Sequence, residues 1–418
     1  MIGDSTLQGY LLFCFLKGCK VAIACGGVFV AYKYWRCVGL KSLVTWLLLR
    51  TLLCFALLQF TTLDSFDLHG WLLHAKWIVE NGCVPGRAFR SPYHLGFEYL
   101  NALVIVLWRS EFAIAALFVV CEFAGVVLMK KTLAELFGEC VAIRSLIMFE
   151  TSAITFDAAL GTQDESIILL GVAMILRVLV YGGTAWRLFV SVFFTFCVSK
   201  ILAPFYFACL CLTRRWKGLS VLLAAISLYW SLTLVIGINP FDIRFGRTLG
   251  IDAVGDEILT GLKVESVSIW WYIPSISPKF MYLPMLLGFV VIFGCFIKDI
   301  FYGSKDCKLR AAICCTALLG GCFQFFYPYF YGCYCIPFLP FVFCTLFAGE
   351  YRKWKVAALV TFWGVAYGGL FPGAERWDVY RTVVWCFYAI CHWCIMWYMF
   401  QSYMNQRNRV NGEFLLST

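Results

Sequence analysis

Residues 43–60, LVTWLLLRTLLCFALLQF, form an apolar run, and residues 64–82, DSFDLHGWLLHAKWIVENG, follow it with two aspartates, two histidines and a lysine. A membrane helix needs about 20 consecutive apolar residues. Runs of this kind recur along almost the whole chain, whose 418 residues are 62% hydrophobic and 14% charged, with a mean hydropathy of +0.82. Soluble domains do not have this composition. The sequence therefore predicts an all-α polytopic membrane protein with about 11–13 transmembrane helices.

Two parts of unequal size are expected. The block LLFCFLKGCKVAIACGGVFVAY at 11–32 contains two lysines and has no small-residue cleavage pattern, so we interpret it as a retained span and not a signal peptide. Residues 1–42 then form an N-terminal transmembrane segment with a basic loop. Residues 43–418 form one multi-span membrane domain.

Short basic loops indicate on which side of the membrane the connections between spans lie. The net charge is +10, and short loops rich in Lys and Arg stay on the cytoplasmic side; no nucleic-acid partner follows from this charge. The basic clusters lie near residues 33–41, 130–131, 214–217, 305–310, 352–355 and 407–409. Placing them all on one side predicts luminal loops at 61–99, 161–163, 239–278, 327–332 and 372–381.

Two long apolar runs differ from a third region in which the apolar pattern is interrupted. Residues 100–129 and 141–160 are each expected to be one span, whereas 186–199 and 201–213 are both too short to cross a bilayer. Pro204 would break a helix there, with Lys200 near the middle of the segment. We therefore predict a span that rises, breaks and returns.

The 22 cysteines are scattered along the apolar blocks, adjacent only at Cys314 and Cys315, without disulfide or metal-ligand spacing. Such cysteines act as small hydrophobic residues inside helices. No metal site is predicted from them, and the spacing of His69 and His74 does not indicate one either.

The stretch after the span at 43–60 predicts an amphipathic helix over 67–81. An apolar stripe runs from Leu68 to Val79, so the helix is expected to lie on the luminal membrane surface. Asp64 and Asp67 have two interpretations: a carboxylate pair that deprotonates an acceptor hydroxyl or holds a cation, or a helix cap in solvent.

Charges within the apolar run 141–160 need partners at membrane depth. Arg144 is expected to pair with one of the nearby carboxylates, which belong to Glu139, Glu150 and Asp157. In GTQDES at 161–166, Gln163 and Asp164 either face a cavity or place acidic groups at a helix N-terminus, where the dipole favours them.

Aromatic residues are dense in two predicted luminal segments. SIWWYIPS at 268–275 contains Trp270, Trp271 and Tyr272, and FFYPYFYGCYC at 325–335 contains Tyr327 and Tyr329. A membrane-interface belt explains both segments, as does a cavity for a glycolipid whose sugars stack on the rings.

Several features in succession resemble the GT-C superfamily of multi-span, lipid-linked sugar transferases of the endoplasmic reticulum: a span, the acidic pair Asp64 and Asp67, an amphipathic helix ending at Gly82, the GTQDE turn at 161–165, and a broken span with Lys200 before Pro204. Within this superfamily, four patches look closest to the glycosylphosphatidylinositol (GPI) branch. NGCVPGRAFRSPYH at 81–94 and VSKILAPFYF at 198–207 are similar to segments shared by the first GPI mannosyltransferases and the PIG-U family. VESVSIWWYIPSISPKF at 264–280 and FQFFYPYFYGCYCIPFLP at 323–340 look like PIG-U segments. The mannosyltransferases have D-x-D in their first luminal loop, where this chain has Asp64-x-x-Asp67.

The resemblance implies a non-catalytic, multi-pass subunit of the GPI transamidase in the endoplasmic reticulum membrane. Its partners would be other transamidase subunits, membrane lipids and the GPI glycolipid. The residues implied to contact the lipid are Lys200, Trp270, Trp271, Tyr272, Tyr327 and Tyr329, and no cofactor is implied.

Two alternatives stay open. In an active transferase that uses a dolichyl-phosphate sugar, Asp64 or Asp67 would be the base, and Lys200 or Arg247 would hold the donor phosphate. A secondary transporter is the third class, although the sequence has no clear inverted repeat.

Overall fold

The computed structural model describes residues 7–60, 66–89, 93–160, 164–199, 203–238, 282–327, 332–349 and 379–416. Over these ranges the regular structure is helical, and the only β pairing is an isolated bridge between Pro85 and Phe89. The predicted all-α class is therefore confirmed. The α-helices of the described ranges are α1 Leu7–Phe29, α2 Leu40–Phe60, α3 Phe66–Asn81, α4 Leu95–Leu107, α5 Glu111–Phe137, α6 Glu139–Thr151, α7 Ala153–Leu160, α8 Glu165–Val180, α9 Ala185–Cys197, α10 Pro204–Leu212, α11 Trp216–Val235, α12 Leu283–Tyr302, α13 Lys305–Phe326, α14 Leu339–Ala348 and α15 Val379–Leu416.

Four of these helices are long and apolar enough to cross a membrane: Phe112–Phe137 within α5, Trp216–Val235, Leu283–Tyr302 and Lys305–Phe326. They support the predicted membrane protein by length and composition. The fuller count of about 11–13 spans stays a prediction.

Two predicted single spans are each divided in two. The run at 100–129 belongs partly to α4 and partly to α5, because the chain leaves the helix at Trp108 and restarts at Ser110, whose hydroxyl accepts from the Phe112 amide at 3.3 Å. The run at 141–160 breaks at Ser152, whose hydroxyl accepts from the Thr155 amide at 3.0 Å and so begins α7. Serine caps end and start helices in this way, and they override the apolar pattern.

The predicted break near Pro204 is confirmed. Helix α9 ends at Cys197 and α10 begins with Pro204 in its first turn, where a missing backbone N–H costs nothing. The structure therefore has two short helices here, as the two short apolar runs predict.

The core forms where α5, α6, α8, α13 and α14 pack together. Helix α13 is the most enclosed of the four long apolar helices, and it carries Ala, Gly and Cys along its length. Small residues let helix backbones approach closely: a Cβ on Gly320 would lie 2.6 Å from the Phe338 ring. Cysteines fill this core as small apolar groups, and Sγ of Cys209 lies 3.7 Å from Sγ of Cys315.

Helix α3 places its apolar face against protein. Trp71 and Ala75 are buried, and the Trp71 ring packs edge-on against Phe97 of α4 and Phe118 of α5, with centroids 5.6 and 5.2 Å apart. The prediction that this face lies in the membrane surface is therefore wrong for these residues. The helix itself forms close to the predicted 67–81.

Basic side chains gather at one end of the bundle, which we call the basic end. Lys305 Nζ donates to the Val180 carbonyl at 2.6 Å, Arg310 Nη2 to the Leu136 carbonyl at 2.6 Å, and Arg215 Nε to the Phe301 carbonyl at 2.7 Å. These carbonyls terminate α8, α5 and α12. The cations stabilise helix C-termini, whose carbonyls lack helical partners.

Candidate functional site

A buried group of polar side chains lies around the start of α8, at the end of this helix opposite to Val180. The amide of His94, just before α4, donates to the Ser199 carbonyl after α9 at 3.0 Å. The Tyr93 hydroxyl donates to Oδ1 of Asp164, just before α8, at 3.4 Å. The start of α4, the start of α8 and the end of α9 therefore lie together.

Helix α4 presents a polar stripe to this place. His94, Glu98 and Asn101 follow one another at i, i+4 and i+7, so they share one helical face, and each is at most 1% exposed. From α3, Nδ1 of His74 lies 3.3 Å from Oε1 of Glu98. We call this group the polar cluster; its members are His74, Tyr93, His94, Glu98, Asn101, Asp164 and Glu165.

Two members of the polar cluster have polar atoms without a partner among the described residues. Nδ1 of His94 donates to the Phe196 carbonyl, which leaves Nε2 as an unpartnered buried atom. Asn101 is 0% exposed, and both Nδ2 and Oδ1 of its amide lack a hydrogen bond. Leaving a buried polar group unpaired costs about 1–3 kcal/mol, and native proteins normally satisfy such groups with water or a ligand.

Aromatic rings surround the polar cluster. The ring of Tyr93 stacks on Phe97 with centroids 4.3 Å apart, and the ring of His74 stacks on Phe89 at 4.3 Å. Tyr229 of α11 lies 4.6 Å from the His94 ring, and its hydroxyl accepts from the Leu95 amide at 3.0 Å. These contacts fix the imidazoles, so the cluster is a rigid arrangement of carboxylate, imidazole, amide and hydroxyl groups.

The patches that carry the family resemblance meet here, although they are far apart in the sequence. Tyr93 and His94 end the patch 81–94, Asp164 belongs to the turn 161–166, and Ser199 belongs to the patch 198–207. The patch 323–340 packs against the last of these, because the Tyr206 hydroxyl donates to the Tyr334 carbonyl at 3.1 Å. Described residues of three of the resembling patches, together with Asp164, thus lie in one region.

Most of the predicted site residues lie outside the described residues: Asp64, Lys200, Trp270, Trp271, Tyr272 and Tyr329. Asp67 stands in the first turn of α3, and its side chain is outside the described part. Asp164 and Glu165 stand at the N-terminus of α8 and are both 1% exposed. Their position agrees with both interpretations of the 161–166 turn.

Tyr327 is the one predicted aromatic contact that the described residues include. It is 3% exposed, its ring centroid lies 4.6 Å from that of Phe323, and the Tyr282 ring is 6.2 Å away. Tyr327 therefore packs inside an aromatic stack at the end of α13. Contact with a glycolipid stays a prediction.

A second buried polar group joins α2, α5 and α6. Arg50 donates from Nη2 to Glu122 Oε1 at 2.6 Å and from Nη1 to Glu150 Oε2 at 2.8 Å, and its side chain is fully buried. Trp46 Nε1 donates to the Glu150 carbonyl at 3.1 Å. We call these three charged residues the Arg50 triad.

The Arg50 triad corrects the pairing expected for Arg144. Glu150 pairs with Arg50, and Glu139 pairs with Lys130 at 2.6 Å. The Arg144 guanidinium instead lies over the Trp35 ring, 5.1 Å from its centroid, a cation–π contact. The side chain of Asp157 is outside the described residues.

Sequence reasoning missed His94, Glu98 and Asn101, which form the centre of the site. The signal was present, since three polar residues at i, i+4 and i+7 begin an otherwise apolar run. Their spacing indicates a buried polar stripe on a membrane helix. Among the described residues, no group of three or more His, Cys, Asp or Glu side chains is arranged to hold a metal ion.

Comparisons with protein-family models, with curated proteins and with solved structures each found no match for this chain.

Proposed function

We propose that this chain is a non-catalytic membrane subunit of the GPI transamidase, which holds the GPI lipid and presents it to a catalytic subunit. It would act in the endoplasmic reticulum membrane together with the other transamidase subunits. The alternative is a GT-C glycosyltransferase that uses a dolichyl-phosphate sugar.

One observation carries the proposal: segments that resemble the GPI branch on separate parts of the sequence assemble around a buried polar cluster with unpartnered hydrogen-bonding atoms. The contacts between Tyr93 and Asp164 and between His94 and Ser199 join these segments directly. A chance resemblance in unrelated patches would have no reason to converge on one place.

The chemistry of the polar cluster suits a hydroxyl-rich headgroup. The Asn101 amide offers both a donor and an acceptor, and Nε2 of His94 is available as well. Sugar and inositol hydroxyls can donate and accept in the same way, and the neighbouring aromatic rings provide apolar faces. The exposed apolar surface of α12, which includes Leu287, Val290 and Val291, would let the acyl chains remain in the bilayer.

Binding without catalysis is the simpler interpretation for the described carboxylates. Glu98 and Asp164 each contact a neighbouring side chain, His74 and Tyr93 respectively. The spacing Asp64-x-x-Asp67 also departs from the D-x-D of the transferases. In a transferase, one of these two aspartates would have to reach the acceptor hydroxyl as the base.

The proposal is tested in cells of the source organism that lack the native copy, by measuring surface GPI-anchored protein together with the GPI lipids that accumulate. We expect surface anchoring to fail while complete GPI lipid builds up. Accumulation of an under-mannosylated lipid would establish the transferase instead. Normal anchoring and normal lipids in these cells would contradict both.

The polar cluster is tested by rescue of the same cells with Asn101→Leu, which keeps a side chain branched at Cγ but removes both hydrogen-bonding atoms. We expect this variant to be produced at the normal level and to restore little surface anchoring. The matched control is Glu80→Gln, an exposed polar change on α3, which should rescue fully. Full rescue by Asn101→Leu would show that the hydrogen-bonding atoms of Asn101 are not needed for anchoring and would overturn the role assigned to the polar cluster.

A further inference from the structure

The basic end contains a group of cations that the fold does not neutralise. Arg215 immediately precedes α11 and Lys217 lies in its first turn, while Lys305 and Lys308 lie in the first turn of α13. Arg215 bonds the carbonyl of Phe301, and α13 begins only four residues later, so Lys308 in its first turn lies at the same end of the bundle. Helix N-termini carry a partial positive charge, so these cations stand at the ends of two helices where they are least favourable.

The carboxylates near this group leave it positive. Asp299 is already engaged by Arg407, at 3.2 Å, and by the Tyr403 hydroxyl, at 2.7 Å. Asp306 is exposed in the first turn of α13. Within the described residues, Arg215, Lys217 and Lys308 form no ion pair with a carboxylate. An anion from outside the chain would relieve their repulsion.

The guanidinium of Arg215 is already oriented. Its Nε donates to the Phe301 carbonyl at 2.7 Å, and its central carbon lies 5.7 Å from the Tyr302 ring centroid. The two Nη groups have no acceptor in the described structure, and they form the planar fork that binds phosphate through two parallel hydrogen bonds.

Two exposed aromatic residues place this group at the level of lipid headgroups. Trp216 begins one of the long apolar helices and Tyr302 ends another, and they are 72% and 75% exposed. Trp and Tyr gather at the membrane–water interface. Exposed aromatic residues at these helix ends favour a position of Arg215, Lys217 and Lys308 at the depth of the bilayer phosphates.

We propose that Arg215, Lys217 and Lys308, between Trp216 and Tyr302, form a binding site for the phosphate of an anionic phospholipid in the leaflet at the basic end. This site is separate from the polar cluster, which lies at the opposite end of the helices. It does not depend on the proposed function.

The test uses the purified full chain in mild detergent, with phosphatidic acid as the probe and phosphatidylcholine as the neutral reference. Native mass spectrometry gives the apparent affinity for each lipid. A basic residue near an anionic membrane surface contributes about 1 kcal/mol, which is roughly a fivefold change in affinity. We expect Lys308→Gln to bind phosphatidic acid roughly fivefold more weakly, and Arg215→Gln with Lys308→Gln roughly 25-fold more weakly.

The charge-matched control is Lys41→Gln, an exposed change at the start of α2, a helix that packs on α5, α6 and α7. It should bind phosphatidic acid as the unaltered chain does. An equal loss in Lys41→Gln would mean that only net charge matters and would overturn the site. Complete competition by a few millimolar inorganic phosphate would identify a site for free phosphate and would overturn the lipid assignment.

Arg215→Gly separates lipid binding from a structural role. Arg215 has φ = 56°, the only positive φ of a non-glycine residue among the described residues, and glycine adopts this conformation without strain. The proposal predicts lost phosphatidic acid binding in a folded protein. A lower unfolding temperature with unchanged lipid binding would show that Arg215 only caps α12.

Discussion

Removal of the Arg50 guanidinium is expected to be among the most destabilising single changes in the described structure. In Arg50→Met the side chain keeps a similar length and loses its charge. Glu122 and Glu150 then stay buried, at 8% and 1% side-chain exposure, without the cation that bonds them at 2.6 and 2.8 Å. Breaking a buried ion pair by removal of one partner costs about 3–5 kcal/mol.

The estimate belongs in the upper half of that range, because one guanidinium serves two carboxylates and also donates to the Glu150 carbonyl at 3.3 Å. A loss of about 4 kcal/mol lowers the ratio of folded to unfolded protein roughly a thousandfold. Equilibrium unfolding of the purified protein in mixed micelles, with increasing amounts of a denaturing detergent, measures this change. Intrinsic tryptophan fluorescence is the readout, since the chain has 16 Trp residues.

The control combines Arg50→Met with Glu122→Gln and Glu150→Gln. The combined variant has no buried charge left at this place, so most of the lost stability should return. A loss below about 1 kcal/mol in Arg50→Met would contradict the argument, since exposed pairs behave in that way. A combined variant no more stable than Arg50→Met would show that packing, and not charge, determines the cost.

Three further predictions concern packing and topology. A Cβ on Gly96 would lie 2.6 Å from the Cys197 carbonyl oxygen, so Gly96→Ala should lower stability by about 1–3 kcal/mol. A Cβ on Gly70 would meet nothing within 4 Å, so Gly70→Ala should raise stability by about 0.5–1 kcal/mol. Thermal unfolding monitored by tryptophan fluorescence measures both changes, and equal effects would contradict the packing described for α4 and α9. Trp71→Ala should lower the free energy of unfolding by about 3–5 kcal/mol in the same assay. The control Trp186→Ala, at a residue 69% exposed, should lower it by less than about 0.5 kcal/mol. A small effect at Trp71 would mean that α3 does not pack on α4 and α5. In sealed microsomes, a membrane-impermeant maleimide should label the exposed Cys37 from the cytoplasmic side and the half-buried Cys83 only after the membrane is opened; labelling of both from one side would refute the predicted topology.

The sequence predicts the class of fold well because apolar runs of membrane length have few alternatives. It also predicts the break at Pro204 and the helix near 67–81, since both rest on local chemistry. It fails at residues 100–129 and 141–160, where single serine caps interrupt otherwise apolar runs. Hydropathy averages over a window, so it does not detect a one-residue cap.

The candidate site was harder to predict for a different reason. Asp64 and Asp67 are close in sequence, whereas the polar cluster combines one face of α4 with the start of α8 and the end of α9. The same holds for Arg50, whose partners Glu122 and Glu150 are 72 and 100 residues away. A pattern among neighbouring residues does not indicate contacts between residues so far apart in the sequence.

The sequence by itself determined that the chain is helical and apolar and where its cations lie along the chain. Each of these follows from neighbouring residues, because helix formation and membrane insertion depend on local composition. Only the tertiary structure decided that Glu150 pairs with Arg50 and not with Arg144, that the apolar face of α3 meets protein, and that His94 and Asn101 join Asp164 in one cluster. Buried polar groups select partners by geometry across helices, and that geometry exists only after the helices have packed.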